Sequence, residues 1–141
     1  MTEYITFVQN NPLLFIGLVV VIAFIVKIEI ARLTRKYNQI NTNEAVQLLN
    51  KDETVVVDVR EDKEVQTGII NGAKHIPLGS LSDQMSQLNN AKNKPILIYC
   101  RSGNRSSTAC QKLTQLGFSD VYNLAGGIMS WESANLPIHK Q

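Results

Sequence analysis

The sequence predicts a three-layer α/β domain with a mostly parallel central sheet, preceded by one transmembrane helix. Three observations carry this. From residue 41 onward, short β-branched or apolar runs alternate with segments of helical composition, the pattern of strands joined by crossover helices. Near the N-terminus, Leu13 to Val26 contains no polar side chain. Finally, the apolar run 95–99 stops at Cys100, which opens the turn Cys100-Arg101-Ser102-Gly103-Asn104-Arg105-Ser106 ahead of a further helical segment. The expected organisation is a short extracytoplasmic tail over 1–11, a transmembrane helix with a basic juxtamembrane extension over 12–37, and the α/β domain over 40–138.

The fourteen residues from Leu13 to Val26 would span about 21 Å as a helix, short of a hydrocarbon core of about 30 Å. Flanking residues supply the remainder. Pro12 suits a first helical position behind an Asn11 cap, Lys27 can snorkel, and Ile28, Ile30 and Ala31 prolong the apolar character. Tyr4 and Phe7 suit the interface. A cleaved signal peptide fits less well, because the leading tail has no Lys or Arg and no small-residue cleavage site follows. A buried core helix fits poorly too, since β-branched residues encircle the segment and leave no soluble face. Lys27, Arg32, Arg35 and Lys36 follow the span and no basic residue precedes it. The positive-inside bias therefore predicts a single-pass protein of the cell (inner) membrane, N-terminus outside and the domain in the cytoplasm.

Residues 31–39 read as a polar, basic connector that continues the helix out of the bilayer. Asn41 with Glu44 forms a capping signature ahead of Ala45, Val46, Leu48 and Leu49 at helical spacing. Residues 54–59 are nearly continuous in β-branched side chains, suiting a strand covered on both faces. Residues 61–66 read as a short helix ending before Gly68, and 73–77 as a short strand closing on Pro77. Residues 81–90 read as a modest helix with Leu81, Met85 and Leu88 on one side. A strand at 95–99, a helix at 106–116, a strand at 121–124 and a helix at 128–134 complete the series.

A cysteine that ends a buried strand and precedes a helix has its sulfur at a helix N-terminus, where the next backbone amides can converge on it. Such a loop, with two arginines, is an anion cradle, and the same features favour thiolate over thiol. The chemistry indicated is a cysteine nucleophile acting on an oxyanion. A net charge of +2 implies no polyanion partner, so no nucleic acid is expected. Two cysteines are too few for a disulfide scaffold or a paired zinc site, and an activated free thiol suits a reducing compartment. His75 and His139 lack metal-ligand spacing to any other His or Cys, so no metal is assigned.

The domain resembles a single-domain rhodanese, a sulfurtransferase. Four stretches carry the likeness in order: Val57-Asp58-Val59-Arg60 with Glu64 beyond it, Gly68 to Pro77, the loop Cys100 to Ser106 with Ala109 in register, and Leu124-Ala125-Gly126-Gly127 through Trp131. Ile69 stands where the family usually has His, and Val65 where an aromatic is common, departures that bear on packing or on the rim.

The resemblance implies a rhodanese-like three-layer domain. It also implies that Cys100 attacks the outer sulfur of thiosulfate or another sulfane donor, becomes a persulfide, and passes that sulfur to a thiophile in two-step covalent catalysis. Arg101, Ser102, Gly103, Asn104 and Arg105 then form the substrate-binding loop, their amides stabilising the terminal sulfur. Gly103 permits the tight turn, Arg105 holds the loop or the anion, and Arg101 adds positive potential. Asp58, Arg60 and Ser106 support the loop, with a direct substrate contact left open for Arg60. Cys110 reads as a small core residue, or as a resolving thiol, and Trp131 as a core anchor. The partners implied are a small sulfur-containing anion or a protein persulfide, with no cofactor; the apolar span adds membrane lipid and a membrane protein partner.

Two rivals stand beside this. A cysteine phosphatase or arsenate reductase also cradles an oxyanion, but its loop holds one more residue between Cys and Arg than the four between Cys100 and Arg105. A membrane-tethered interaction or redox-sensing module would use the same thiol without turnover.

Overall fold

A computed structural model describes residues 7–51 and 53–140 of the chain, in two compact units that divide after Arg35. Tyr4 and the rest of residues 1–6 lie outside the described residues.

The first unit is built on helix α1, Pro12–Leu33, whose 22 residues correspond to about 33 Å. Its stretch Pro12–Ile30 is long and apolar enough to cross a membrane, and none of that span is buried in the structure. The expected side-chain cap from Asn11 is replaced by another contact. Asn11 Nδ2 donates back to the Phe7 carbonyl at 3.0 Å, closing a preceding helical turn, while the Asn11 carbonyl accepts from the Leu14 amide.

The second unit carries a five-stranded sheet: β1 (Asn38–Ile40), β2 (Val55–Asp58), β3 (Lys74–His75), β4 (Ile96–Tyr99) and β5 (Val121–Leu124). The order is β1-β5-β4-β2-β3 and every pairing is parallel. Strand β4 is central, and all four of its residues are fully buried. Alternate residues of a strand face opposite sides, so the sheet feeds two separate cores. Val57, Ile96 and Ile98 pack on one face with Leu81, Leu88, Ala109, Cys110 and Leu113. Val56, Leu97 and Tyr99 pack on the other with Ala45, Leu48, Ile128 and Trp131. Full burial of one such aliphatic side chain contributes about 1.5–3 kcal/mol, so the strand that ends at Cys100 is firmly anchored.

Four further helices cover the sheet: α2 (Thr42–Leu49), α3 (Asp62–Val65), α4 (Asn104–Gln115) and α5 (Gly127–Ser133). The reciprocal Asn41–Glu44 capping box starts α2, with Glu44 N to Asn41 Oδ1 at 3.0 Å and Asn41 N to Glu44 Oε2 at 2.8 Å.

Two expectations are corrected. The connector at 31–39 does not simply prolong the helix, because its last residues join the sheet edge as β1. Residues 81–90 form no α-helix. Two 3₁₀ segments, Leu78–Ser80 and Met85–Ala91, occupy this region. The segment is rich in Ser, Asn and Asp, residues that disfavour a helix interior, while burial of Leu81 and Leu88 anchors it in the core.

The two departures from the family pattern are both core positions. Val65 and Ile69 are buried, and Ile69 pairs its backbone with His139 through two bonds of 2.8 Å.

Candidate active site

Cys100 leaves β4 at its carboxyl end, the place where open parallel sheets bind ligands. The chain then turns through Gly103, whose φ of +99° belongs to the left-handed region where a side chain is strained. This turn aims the Gly103 amide at Cys100 Sγ, 3.1 Å away. Helix α4 begins at the next residue, and one turn on the Ser106 hydroxyl donates to the same sulfur at 3.3 Å. Burial, the largest influence on this thiol, pushes its pKa up. The Ser106 hydroxyl and the amides of Ser106, Gly103 and Ser102 together outweigh it, holding the pKa below the ordinary thiol value. Cys110 contrasts with it: burial, reinforced by the charge of Cys100, pushes its pKa far up, as for an inert core thiol.

Three elements clamp the loop. Asn123 on β5 is buried and donates from Nδ2 to the Gly103 carbonyl at 3.2 Å, holding from its other side the residue whose amide meets the sulfur. Gly127 at the start of α5 lies so close that a Cβ there would sit 2.4 Å from the Cys100 carbonyl oxygen. That approach lets the amides of Ile128 and Met129 bond the carbonyls of Cys100 and Arg101, at 2.8 and 3.2 Å. On the far side of α4, Ser107 bonds Tyr37 hydroxyl to hydroxyl.

The structure brings Asp58 and Arg60 together in a buried ion pair, 2.6 Å at the closest atoms. Arg60 also donates to the carbonyls of Glu64, at 3.1 Å, and Gly68, at 2.7 Å, and its own carbonyl accepts from His75 Nε2 at 2.8 Å. Tyr99 accepts from the Ile70 amide at 3.0 Å, and its ring lies 5.8 Å from the Arg60 guanidinium. Arg105 does not sit on the loop that carries it. Both its terminal nitrogens donate to Glu64 on α3, each at 2.7 Å. That pairing is the chief reason the Glu64 carboxyl is held down at about 2.

Arg101, Ser102 and Asn104 are exposed. Arg101 lines a cleft of about 360 Å³ together with Arg60, Glu64, Thr67, Ile128, Met129 and Glu132. Trp131, next along α5, is buried and donates to the Pro137 carbonyl at 3.0 Å. Among the described residues, no group of three or more His, Cys, Asp or Glu side chains is placed to hold a metal.

Sequence reasoning had no signal for Asn123 as the partner of Gly103, or for Glu64 as the partner of Arg105. The doubled glycine at 126–127 entered the sequence reading only as part of the likeness, and its role in bringing α5 against the Cys100 loop is visible only in the structure.

This is a parallel α/β domain with a cradled, acidified thiol at the end of its central strand. The chain belongs to the rhodanese-like domain family, which residues 41–134 match. It is 30% identical over 139 residues to the uncharacterized protein YibN of Escherichia coli K12, covering 98% of this chain and 97% of that one. A sulfurtransferase of Allochromatium vinosum is 37% identical over 102 residues, 72% of this chain and 94% of the relative. The crystal structure of a rhodanese-related protein from Thermoplasma volcanium superposes with a TM-score of 0.67 at 31% identity, covering 74% of this chain and all of that one.

Proposed function

We propose that the protein is a membrane-anchored sulfurtransferase that moves a sulfane sulfur from thiosulfate or a persulfide donor, through a persulfide on Cys100, to a thiophilic acceptor. The observation that carries this reading is the pair of donors on Cys100 Sγ, the Gly103 amide and the Ser106 hydroxyl, which favour the thiolate. The thiolate attacks the outer sulfur of the donor. A new sulfur–sulfur bond forms on Cys100, the donor's own bond breaks, and its electron pair leaves with sulfite or with a thiolate. The terminal sulfur of the persulfide carries the negative charge next, and the loop amides from Arg101 to Arg105 are the groups available to stabilise it. Attack by an acceptor thiolate then takes that sulfur and restores Cys100. Both steps exchange one sulfur–sulfur bond for another, so neither needs a cofactor.

Asp58 and Arg60 serve as supports for this loop: the guanidinium bonds Asp58 and the carbonyls of Glu64 and Gly68. Ser106 acts on the sulfur itself, and Arg105 tethers the loop's helix to α3 through Glu64. The sulfurtransferase relative from Allochromatium supports the same chemistry.

Helix α1 supports anchoring, and the match to the Escherichia coli relative runs through it. The basic residues that follow the span favour a single-pass arrangement in the cell membrane with the N-terminus outside and the domain in the cytoplasm, where the thiol stays reduced. Membrane lipid and a neighbouring membrane protein are then natural partners.

Formation of thiocyanate from thiosulfate and cyanide, with full-length protein in membranes, tests the chemistry. Activity that disappears in Cys100→Ser is expected. Turnover that survives this substitution, or no sulfur transfer from any sulfane donor, would refute it. Thiol labelling in intact cells tests the orientation: a cysteine introduced near residue 36 should react only after the membrane is made permeable.

A further inference from the structure

Two consecutive hydroxyls on the first turn of α4 work in different directions. Ser106 is buried and donates to Cys100 Sγ at 3.3 Å. Ser107, about 100° further round the helix axis, bonds the hydroxyl of Tyr37 from 70 positions away. Tyr37 is buried, and its ring belongs to the same core cluster as Ile98, Cys100 and Cys110, so the core itself holds that hydroxyl in place. Ser107 is tied to the cradle through its backbone as well. Its amide donates to the Gly103 carbonyl at 3.1 Å, the same oxygen that Asn123 Nδ2 reaches.

The strand that follows Tyr37 reinforces this contact. β1 pairs with β5 so that Gln39 stands opposite Asn123, and the Ile40 carbonyl accepts from the Ala125 amide at 2.8 Å, just ahead of the glycine pair that abuts the Cys100 carbonyl. Residues 37–40 therefore touch α4, β5 and the turn into α5, three elements that shape the surroundings of the sulfur. They lie ahead of residue 41, where the match to the rhodanese-like family begins.

We propose that Tyr37 is a positioning residue for Cys100: its hydroxyl, acting through Ser107, fixes the first turn of α4 so that the Ser106 hydroxyl stays directed at the sulfur. The leading amides of a helix have no partners within it and its first turn frays readily, so a side-chain tie at that turn has leverage. Without the tie the turn can rotate and the contact from Ser106 to Cys100 lengthens, weakening a donor that favours the thiolate. The proposal rests on Cys100 being the reacting thiol of a sulfurtransferase and is independent of which donor it uses.

The ionisation of Cys100, which needs no sulfur donor, is the test. Ultraviolet absorbance of the thiolate is followed across pH on full-length protein in detergent micelles, each variant against its matching Cys100→Ser protein. Tyr37→Phe keeps the packed ring and removes only the hydroxyl. It should raise the Cys100 midpoint by about 0.3–1 pH unit, the contribution of one hydrogen bond. Below the midpoint, sulfur loading should slow by the corresponding factor of about two to ten, and it should recover in alkali. Ser107→Ala cuts the same tie from its other end and should give the same shift, with the double variant displaced no further than either single one. In a Ser106→Ala background the Tyr37→Phe shift should vanish, because the donor that Tyr37 positions is gone. Arg105 and Cys110, the titratable groups coupled to Cys100 by charge, are left in place by all of these variants. A Tyr37→Phe protein that loses stability while its Cys100 midpoint stays put would overturn the proposal, since the contact would then be merely structural. So would a shift that persists undiminished without the Ser106 hydroxyl. The expected shifts in a protein that loads no sulfur from any donor would uphold the positioning role and sink the sulfurtransferase reading instead.

Discussion

Replacing Glu64 by Gln removes the charge that holds Arg105 and keeps a side chain of nearly the same shape. The Gln still reaches the Glu61 amide, now bonded by Glu64 Oε2 at 3.0 Å, so the cap of α3 survives. In the native protein both terminal nitrogens of Arg105 donate to Glu64 at 2.7 Å, the fork geometry that makes such pairs stronger than single contacts. This contact, against an opposing effect of burial, draws the carboxyl from 4.5 down to about 2. Taken whole, a displacement of that size corresponds to about 3 kcal/mol. The side chains of Arg105 and Glu64 are 32% and 26% exposed, however, so screening reduces the pair to about 1–2 kcal/mol. Its sign follows from the direction of the shift. A carboxylate with a depressed folded pKa adds stability that is present above its unfolded value and lost as pH falls through the folded one. Urea unfolding across pH should therefore show wild type ahead of Glu64→Gln by about 1–2 kcal/mol at about pH 7, with the gap closing below about pH 4.5. Arg105 also feels the charge of Cys100, so freeing its cation should lower the Cys100 pKa further. A stability gap that stays constant down to about pH 3 would refute the reasoning.

Other substitutions probe the loop and its supports. Ser106→Ala removes the hydroxyl 3.3 Å from the sulfur; the Cys100 pKa should rise and sulfur loading should slow about ten- to hundredfold at neutral pH, partly recovering in alkali. Gly127→Ala puts a Cβ against the Cys100 carbonyl at a φ of +57°, and should cost at least about 2 kcal/mol in urea unfolding together with most of the activity. Asp58→Ala strands the buried Arg60 guanidinium and should destabilise the domain by about 3–5 kcal/mol, read as a lowered thermal midpoint.

What could be read in the sequence was what local physics decides. Strands β2 and β4 announce themselves as β-branched or apolar runs because both faces are buried, and the Asn41–Glu44 box fixes the start of α2 within one turn. The cradle was legible because Cys100, Gly103 and Ser106 act within seven consecutive residues. Strand β1 was hidden: its two exposed residues, Asn38 and Gln39, are polar, and only pairing with β5 makes it a strand. The 3₁₀ segment at Met85–Ala91 was misread because Leu81, Met85 and Leu88 have helical spacing whichever tight helix forms. Contacts made by the fold alone left no local trace. Arg105 meets Glu64 across 41 positions and Asn123 meets Gly103 across 20, so the direction of Arg105 and the clamp on the loop emerge only in three dimensions.

The ionisation of Cys100 tests the account most directly. Thiolate absorbs in the ultraviolet, so the difference in absorbance between wild type and Cys100→Ser, followed across pH, isolates this sulfur; burial keeps Cys110 protonated over the same range. The account predicts a single transition with its midpoint below that of an ordinary cysteine, as the Ser106 hydroxyl and the surrounding amides require. A midpoint at or above the ordinary thiol value would contradict it.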